Sequence, residues 1–246
     1  METQEIRLFS SDESVHAIKS PVKIQILNLL DQGDCSFDSI VTATGKAKST
    51  ISTHIKDLEK MGLLFSYPDP NDLRKRIVSK SAIFIGTLTN QDRNLENRLQ
   101  IPSDITSLRT SDLCRIILAT LKMEALILGI NVNPLFQRVG SQIGTQLAPW
   151  FVQDTVEGTL GIMSQFWDDH GLGVLVTKNI DPIIIEITDC IECSNYPLTG
   201  KSECHFSMSF IKALFSHYYQ TEVTVTEQTC YAAGDNKCTF EITVPM

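Results

Sequence analysis

The sequence predicts an α+β protein: an N-terminal winged helix-turn-helix joined to a C-terminal domain of helices and antiparallel sheet. Three observations carry this. Residues 14–61 hold three short amphipathic runs, and a basic hairpin follows them. Residues 111–246 hold longer apolar helices and then strand-like runs. Five cysteines, Cys190, Cys193, Cys204, Cys230 and Cys238, crowd the last third of the chain.

The 246 residues suffice for one large domain or two ordinary ones. An apolar fraction of 42% with 20% charged residues excludes a disordered chain. No basic stretch followed by an apolar core opens the sequence, and no run nears the roughly 18 apolar residues of a membrane span. A cytoplasmic protein with no membrane partner is expected. Cytosolic thiols are kept reduced, so metal or redox use of the cysteines ranks above a disulfide scaffold. Net charge is −8, but residues 1–80 balance 11 Lys/Arg against 11 Asp/Glu, while residues 81–246 hold 10 against 18. Within residues 41–80, eight basic residues face four acidic ones. A basic segment on an acidic body points to an acidic partner bound at one end.

Residues 14–31 read as a first helix, with Pro21 in its opening turn and Gly33 beyond its end. Ser36 caps a second helix over 37–44, ended by Gly45. Ser49 is expected to cap a third over 50–61, where Ile51, Ile55 and Leu58 share one face. Its other face shows Thr50, Ser52, Thr53, His54 and Lys56, with Lys46 and Lys48 at its start. Leu63 to Ser66 and Leu73 to Ser79 read as strands around the turn Tyr67-Pro-Asp-Pro-Asn-Asp72. A helix fits the major groove, and short hydroxyls, a His and Lys at its N-terminal half can reach bases and phosphates. Arg74, Lys75 and Arg76 on the wing suit the DNA backbone or minor groove. Double-stranded operator DNA is thus the expected partner. The stretches Pro21-Val-Lys-Ile-Gln-Ile-Leu-Asn-Leu-Leu, Lys48-Ser-Thr-Ile-Ser-Thr-His-Ile-Lys and Asp72-Leu-Arg-Lys-Arg resemble the ArsR-type winged-helix domain over about residues 12–85.

Three segments are expected: the winged helix over 1–85, a polar linker with a helical option over 86–110, and a second domain over 111–246. In the last, 111–128, 134–151, 155–169 and 204–219 read as helices. Residues 172–178, 182–189, 221–231 and 237–244 read as strands. Cys230 and Cys238 flank Tyr231-Ala-Ala-Gly-Asp-Asn-Lys237, a hairpin turn that would bring their sulfurs close.

The run Cys204-His-Phe-Ser-Met-Ser-Phe-Ile-Lys-Ala-Leu, then Val225-Thr-Glu-Gln-Thr-Cys230, then Gly234-Asp-Asn-Lys-Cys238 resembles the 4-vinyl-reductase, or hydrocarbon-binding, sensor domain over about residues 112–246. The spacing of Cys204, Cys230 and Cys238 is also similar to the zinc cysteines of XylR-type aromatic-responsive regulators. There an upstream Glu completes the site, which corresponds best to Glu192. The extra C-x-x-C around it leaves the fourth ligand open among Cys190, Glu192 and Cys193. Zinc takes four N, S or O ligands, and thiolates beside a metal or each other oxidise readily.

An ArsR-like reader with a cysteine-rich sensor resembles the MsvR-type redox-responsive regulators of methanogenic archaea. That resemblance implies a homodimer that regulates its own and neighbouring promoters, as a repressor by expectation. DNA binding would change when the thiols oxidise. The alternative is a regulator whose sensor binds a small apolar ligand, with zinc purely structural. A reductase-like enzyme is a remote third reading, because no nucleotide-binding glycine motif and no catalytic constellation stands out. Cys35 and Cys114 are expected as packed residues, and His205 and His217 as core or surface histidines rather than ligands.

Overall fold

A computed structural model describes residues 5–70, 72–88 and 108–245. The chain divides into two compact units, residues 1–90 and 91–246.

In the first unit, β1 (Ile6–Ser10) pairs antiparallel with β2 (Val15–Ile18) and with β6 (Ile83–Leu88). The helix expected from residue 14 therefore starts later. Val15 to Ile18 alternate in exposure and pair Ile18 with Arg7, which is strand behaviour. Helix α1 (Pro21–Leu29) begins where Ser20 caps it, accepting from the Lys23 N–H, with Pro21 at the first helical position. Ser36 caps α2 (Phe37–Thr44) by accepting from the Ser39 N–H, and Gly45 ends it at φ +64°. The third helix, α3 (Lys48–Lys60), starts at Ala47 with no side-chain cap, so Ser49 lies inside its first turn instead of capping it. Ile51, Ile55 and Leu58 are fully buried against Ile26, Leu27 and Ile40.

The wing is a three-stranded sheet, with β3 (Cys35–Ser36) and β4 (Leu64–Asp69) on either side of β5 (Asp72–Lys80). Part of the expected turn is strand, because Tyr67 pairs with Ile77 and Asp69 with Asp72. The expected boundary at 85 falls inside β6, whose Ile83 and Phe84 pair with β1. The rest of the expected linker lies outside the described residues up to 107, and a helix begins at Thr110.

The second unit holds α4 (Thr110–Ile127), a two-residue strand β7 (Ile130–Asn131), α5 (Asn133–Phe151) and α6 (Val156–Asp169). Strands β8 (Val174–Ile180) and β9 (Ile183–Thr188) follow, then α7 (His205–Tyr219), β10 (Thr224–Thr229) and β11 (Cys238–Thr243). The four long strands form one antiparallel sheet in the order β10-β11-β9-β8. Met163, Ile185, Ile187, Leu214, Phe215 and Phe240 fill the core between sheet and helices.

Helices α5 and α7 pack with unusually close backbones. A Cβ at Gly140 would lie 2.2 Å from the Phe206 carbonyl oxygen, and one at Gly144 2.7 Å from that of Phe210. The i, i+4 spacing of these glycines and buried Ala148 gives α5 one flat face for α7. The contact fixes where α7 begins, and Cys204 stands at that point.

Gly140→Ala should destabilise the second unit by roughly 1–3 kcal/mol, because backbone must move to make room. Gly161, on α6 with nothing within 4 Å of its missing Cβ, is the control: Gly161→Ala should stabilise by up to about 1 kcal/mol through helix propensity. Denaturant unfolding of the two variants should shift in opposite directions. Equal shifts would contradict the close approach.

Candidate metal and thiol centre, and candidate nucleic-acid interface

Three stretches deliver the five sulfurs. Cys190 and Cys193 sit on the loop after β9. Cys204 is the N-cap residue of α7. Cys230 and Cys238 flank a single helical turn at Tyr231–Ala233, where Gly234 takes φ +110°. All five are buried free thiols. The Sγ of Cys193 lies 3.0 Å from that of Cys204 and 3.1 Å from that of Cys238. Cys204 lies 3.5 Å from Cys238, 3.7 Å from Cys190 and 3.8 Å from Cys230.

Local structure explains the convergence. Arg115, buried on α4, binds the Asp189 carboxylate, the Gly171 carbonyl at 2.7 Å and the Ser194 hydroxyl at 3.3 Å. The Ile191 N–H donates to the Leu172 carbonyl, and those of Cys193 and Ser194 donate back to that of Cys190. The Asp235 carboxylate accepts from the Cys230 N–H at 2.9 Å, closing the other loop. Thr229 and Thr239 join hydroxyls at 2.7 Å across the adjoining strands.

Two overlapping groups have the donors a metal needs: Cys190, Cys193, Cys204 and Cys238, or Cys204, Glu227, Cys230 and Cys238. In each, the ligand atoms lie within 4.8 Å of one another. A tetrahedral zinc with Zn–S near 2.3 Å has sulfurs about 3.8 Å apart, so the spacing fits a closed site after slight adjustment. The second group has a further mark: Glu227 Oε1 is buried with no hydrogen-bond partner among the described residues. Burial first, and then the Cys230 charge, push the Glu227 carboxyl up to about 9. A cation would supply the missing partner.

Glu192 serves another purpose. Its carboxylate accepts from the Phe206 and Ser207 N–H groups at 3.0 Å each and from the Ser207 hydroxyl at 3.1 Å. It caps α7 from across the loop and stands in neither ligand group. Lys122, 1% exposed, lies 3.5 Å from Glu192 and from Glu203, and donates to the Glu203 carbonyl at 2.6 Å. Burial lowers the Lys122 pKa, but the two carboxylates outweigh it and leave it raised. Burial raises that of Glu192.

The thiols titrate together. Hydrogen bonding with Cys193 holds Cys190 and Cys230 down. Hydrogen bonding with Cys190 pushes Cys193, Cys204 and Cys238 up. His205 is pushed down to about 4 by burial and belongs to neither group; His217 is exposed. Glu227, Lys122 and Glu203 were not singled out from the sequence. An acidic residue on the inward face of β10, beside buried Val225, was the available signal for Glu227.

Beside the cluster lies an apolar cavity of about 470 Å³. Leu118, Phe136, Ile143, Trp167 and Phe210 line it, and Ile191, Glu192, Phe206 and Ser207 form one wall.

In the first unit, Lys46, Ser49, Thr50, Thr53, Lys56, Arg74 and Lys75 are exposed. Lys48 pairs with Asp38 at 2.7 Å in solvent. Ser52 and His54 are half-buried, and His54 Nδ1 has no hydrogen-bond partner among the described residues. Arg76 is drawn inward to Glu59 on α3 at 2.6 Å, so it braces the wing against that helix. The Arg74 side chain is 96% exposed at the wing tip.

Residues 20–65 match the family model described as bacterial regulatory protein, arsR family, and residues 183–244 match the model of the 4-vinyl-reductase domain. The uncharacterized protein MJ1642 of Methanocaldococcus jannaschii is 32% identical over 80 residues, covering 32% of this chain and 50% of that protein. The chain thus spans about half the length of that relative. A solved vinyl-4-reductase family protein of the same organism superposes with a TM-score of 0.36 at 17% identity, covering 45% of this chain and 68% of that one. The phenol-responsive sensory domain of the transcription activator PoxR gives 0.37 at 17% identity, covering 61% and 86%.

Cys204 and Cys238 belong to both ligand groups. Cys204→Ser should therefore weaken zinc binding by more than about 100-fold in competition with a chromophoric chelator, beyond the effect of losing an outer-shell contact. Glu192→Gln should keep zinc. Cys190→Ser and Cys230→Ser separate the groups, since only one of them should lose the ion.

Proposed function

Because the chain joins an ArsR-family helix-turn-helix to a 4-vinyl-reductase domain, we propose that it is a DNA-binding transcriptional regulator whose second unit senses metal or redox state through its thiols. One observation carries this reading: sulfurs from three separate stretches meet at 3.0–3.8 Å in a buried cluster. A plain core gains nothing from five thiols at one point. Zinc, held by either ligand group, would neutralise the thiolates and close the site.

On the DNA side, α3 would lie in the major groove. Ser49, Thr50 and Thr53 would face the bases, and Lys46 and Lys56 the phosphates. Arg74 and Lys75 would reach the backbone from the wing. The reader works as a homodimer on paired half-sites, in the cytoplasm where the operator is. Loss of the metal or formation of a disulfide displaces Cys204, and with it the first turn of α7. That change resets the separation of the two recognition helices. Half-site spacing follows the helical repeat, so a few ångströms suffice to lose register.

The cavity favours a second reading. Its volume of about 470 Å³ and apolar walls suit a small apolar effector. Zinc would then be structural. A ligand at a hundred times its Kd would stabilise the fold by about 2.7 kcal/mol. That gain would appear as a raised melting temperature with no oxidant present.

Arg74→Ala or Lys75→Ala should weaken binding several-fold on any duplex and reduce the slope of log affinity against log salt by about one. Arg76→Ala should act mainly through stability, by roughly 0.5–1 kcal/mol. Hydrogen peroxide added to anaerobic, zinc-loaded protein should lower operator affinity at least tenfold in fluorescence anisotropy, and dithiothreitol should restore it. Unchanged affinity while disulfides form would remove the redox reading and leave the effector reading.

A further inference from the structure

A second depression, of about 400 Å³, lies on the cysteine loop and is separate from the apolar cavity. Its walls include Cys193, Tyr196, Leu198, Tyr231 and Asp235. Cys193 is the one member of the thiol cluster that lines it. The other four are sealed, with Cys204, Cys230 and Cys238 at 0% exposure and Cys190 at 1%. Cys193 thus stands between the groove and the sulfurs of Cys204 and Cys238, at 3.0 and 3.1 Å. Tyr196 shares this wall, is 6% exposed, and its hydroxyl has no hydrogen-bond partner among the described residues. The Tyr196 N–H donates to the Cys193 carbonyl, so one turn holds both side chains. Asp235 adds a carboxylate to the groove, which disfavours anions.

We propose that Cys193 is the modification site through which small uncharged hydroperoxides reach the cluster, with Tyr196 as a positioning residue. The proposal rests on the redox reading above. The Cys193 sulfur attacks the O–O bond and is oxidised to a sulfenic acid, and the second peroxide oxygen leaves as water with the thiol proton. The sulfur of Cys204 or Cys238 then attacks Cys193, an S–S bond forms, and the sulfenic oxygen leaves as water. Two thiols and one hydrogen peroxide give one disulfide and two waters. The unpaired Tyr196 hydroxyl donates to the departing oxygen. Where zinc occupies the all-cysteine group, the same reaction removes one of its ligands and the ion is released.

The test uses the full chain under anaerobic conditions, with Cys35→Ser and Cys114→Ser removing the two thiols outside the cluster. A brief substoichiometric iodoacetamide pulse, quenched and mapped by mass spectrometry, should label Cys193 at least tenfold faster than the other four. A lead by any other cysteine, or one shared rate, overturns the proposal. Hydrogen peroxide should give Cys193–Cys204 or Cys193–Cys238 linked peptides. Leu198→Trp, at the exposed rim, should slow both reagents without moving the melting temperature, and it replaces Cys193→Ser if that variant does not fold. Tyr196→Phe should slow peroxide and spare iodoacetamide; equal slowing of both, or of neither, removes Tyr196 from the proposal. If Cys193 leads while operator affinity ignores oxidation, redox signalling fails and the modification site stands. If another thiol leads while affinity still responds, the reverse holds.

Discussion

The carboxylate of Glu192 ties the cysteine loop to the first turn of α7, and the architecture of the second unit depends on that tie. It accepts two backbone N–H groups and one hydroxyl from Phe206 and Ser207. A buried carboxylate is costly unless its lone pairs are filled and a cation stands near. The helix terminus supplies the first and Lys122 the second. Because Cys190 and Cys193 flank Glu192 and Cys204 begins α7, the same bonds set the distances among three of the five sulfurs. The glycine face of α5 completes the constraint, since it lets α7 approach closely enough for its first turn to meet the loop.

Much of this was legible in the sequence, because local rules govern the relevant elements. The caps and stops of α2, the buried face of α3, the wing strands, the four helices of the second unit and its antiparallel strands all follow from periodicity and turn chemistry. The first strands escaped because Val15–Ile18 is too short to show a period beside an apolar helix, and their partner β6 lies about 70 residues away in sequence. Ala47 displaced Ser49 as the start of α3, which propensity alone would not favour.

The cysteines were legible as a group, because five thiols in one region leave few structural explanations. Their polar surroundings were not. Glu192 looked like a ligand because it lies inside the C-x-x-C; its role as a helix cap depends on Ser207, a contact between distant segments. Lys122, Glu203 and Glu227 sit on separate elements and become partners only after folding. Arg76 looked like a groove-reaching cation with its neighbours, and tertiary packing turned it to Glu59 instead.

The shared wall has a thermodynamic consequence. Ile191, Glu192, Phe206 and Ser207 border the apolar cavity, while the adjacent Cys190, Cys193 and Cys204 carry sulfurs of the cluster. A guest that shifts that wall works against the donor geometry, and a bound ion stiffens the wall against the guest. By linkage, the factor by which either occupant alters the affinity of the other is one number, the same in both directions. Two chemically unrelated inputs thereby meet at four residues, and neither needs a route of its own through the fold.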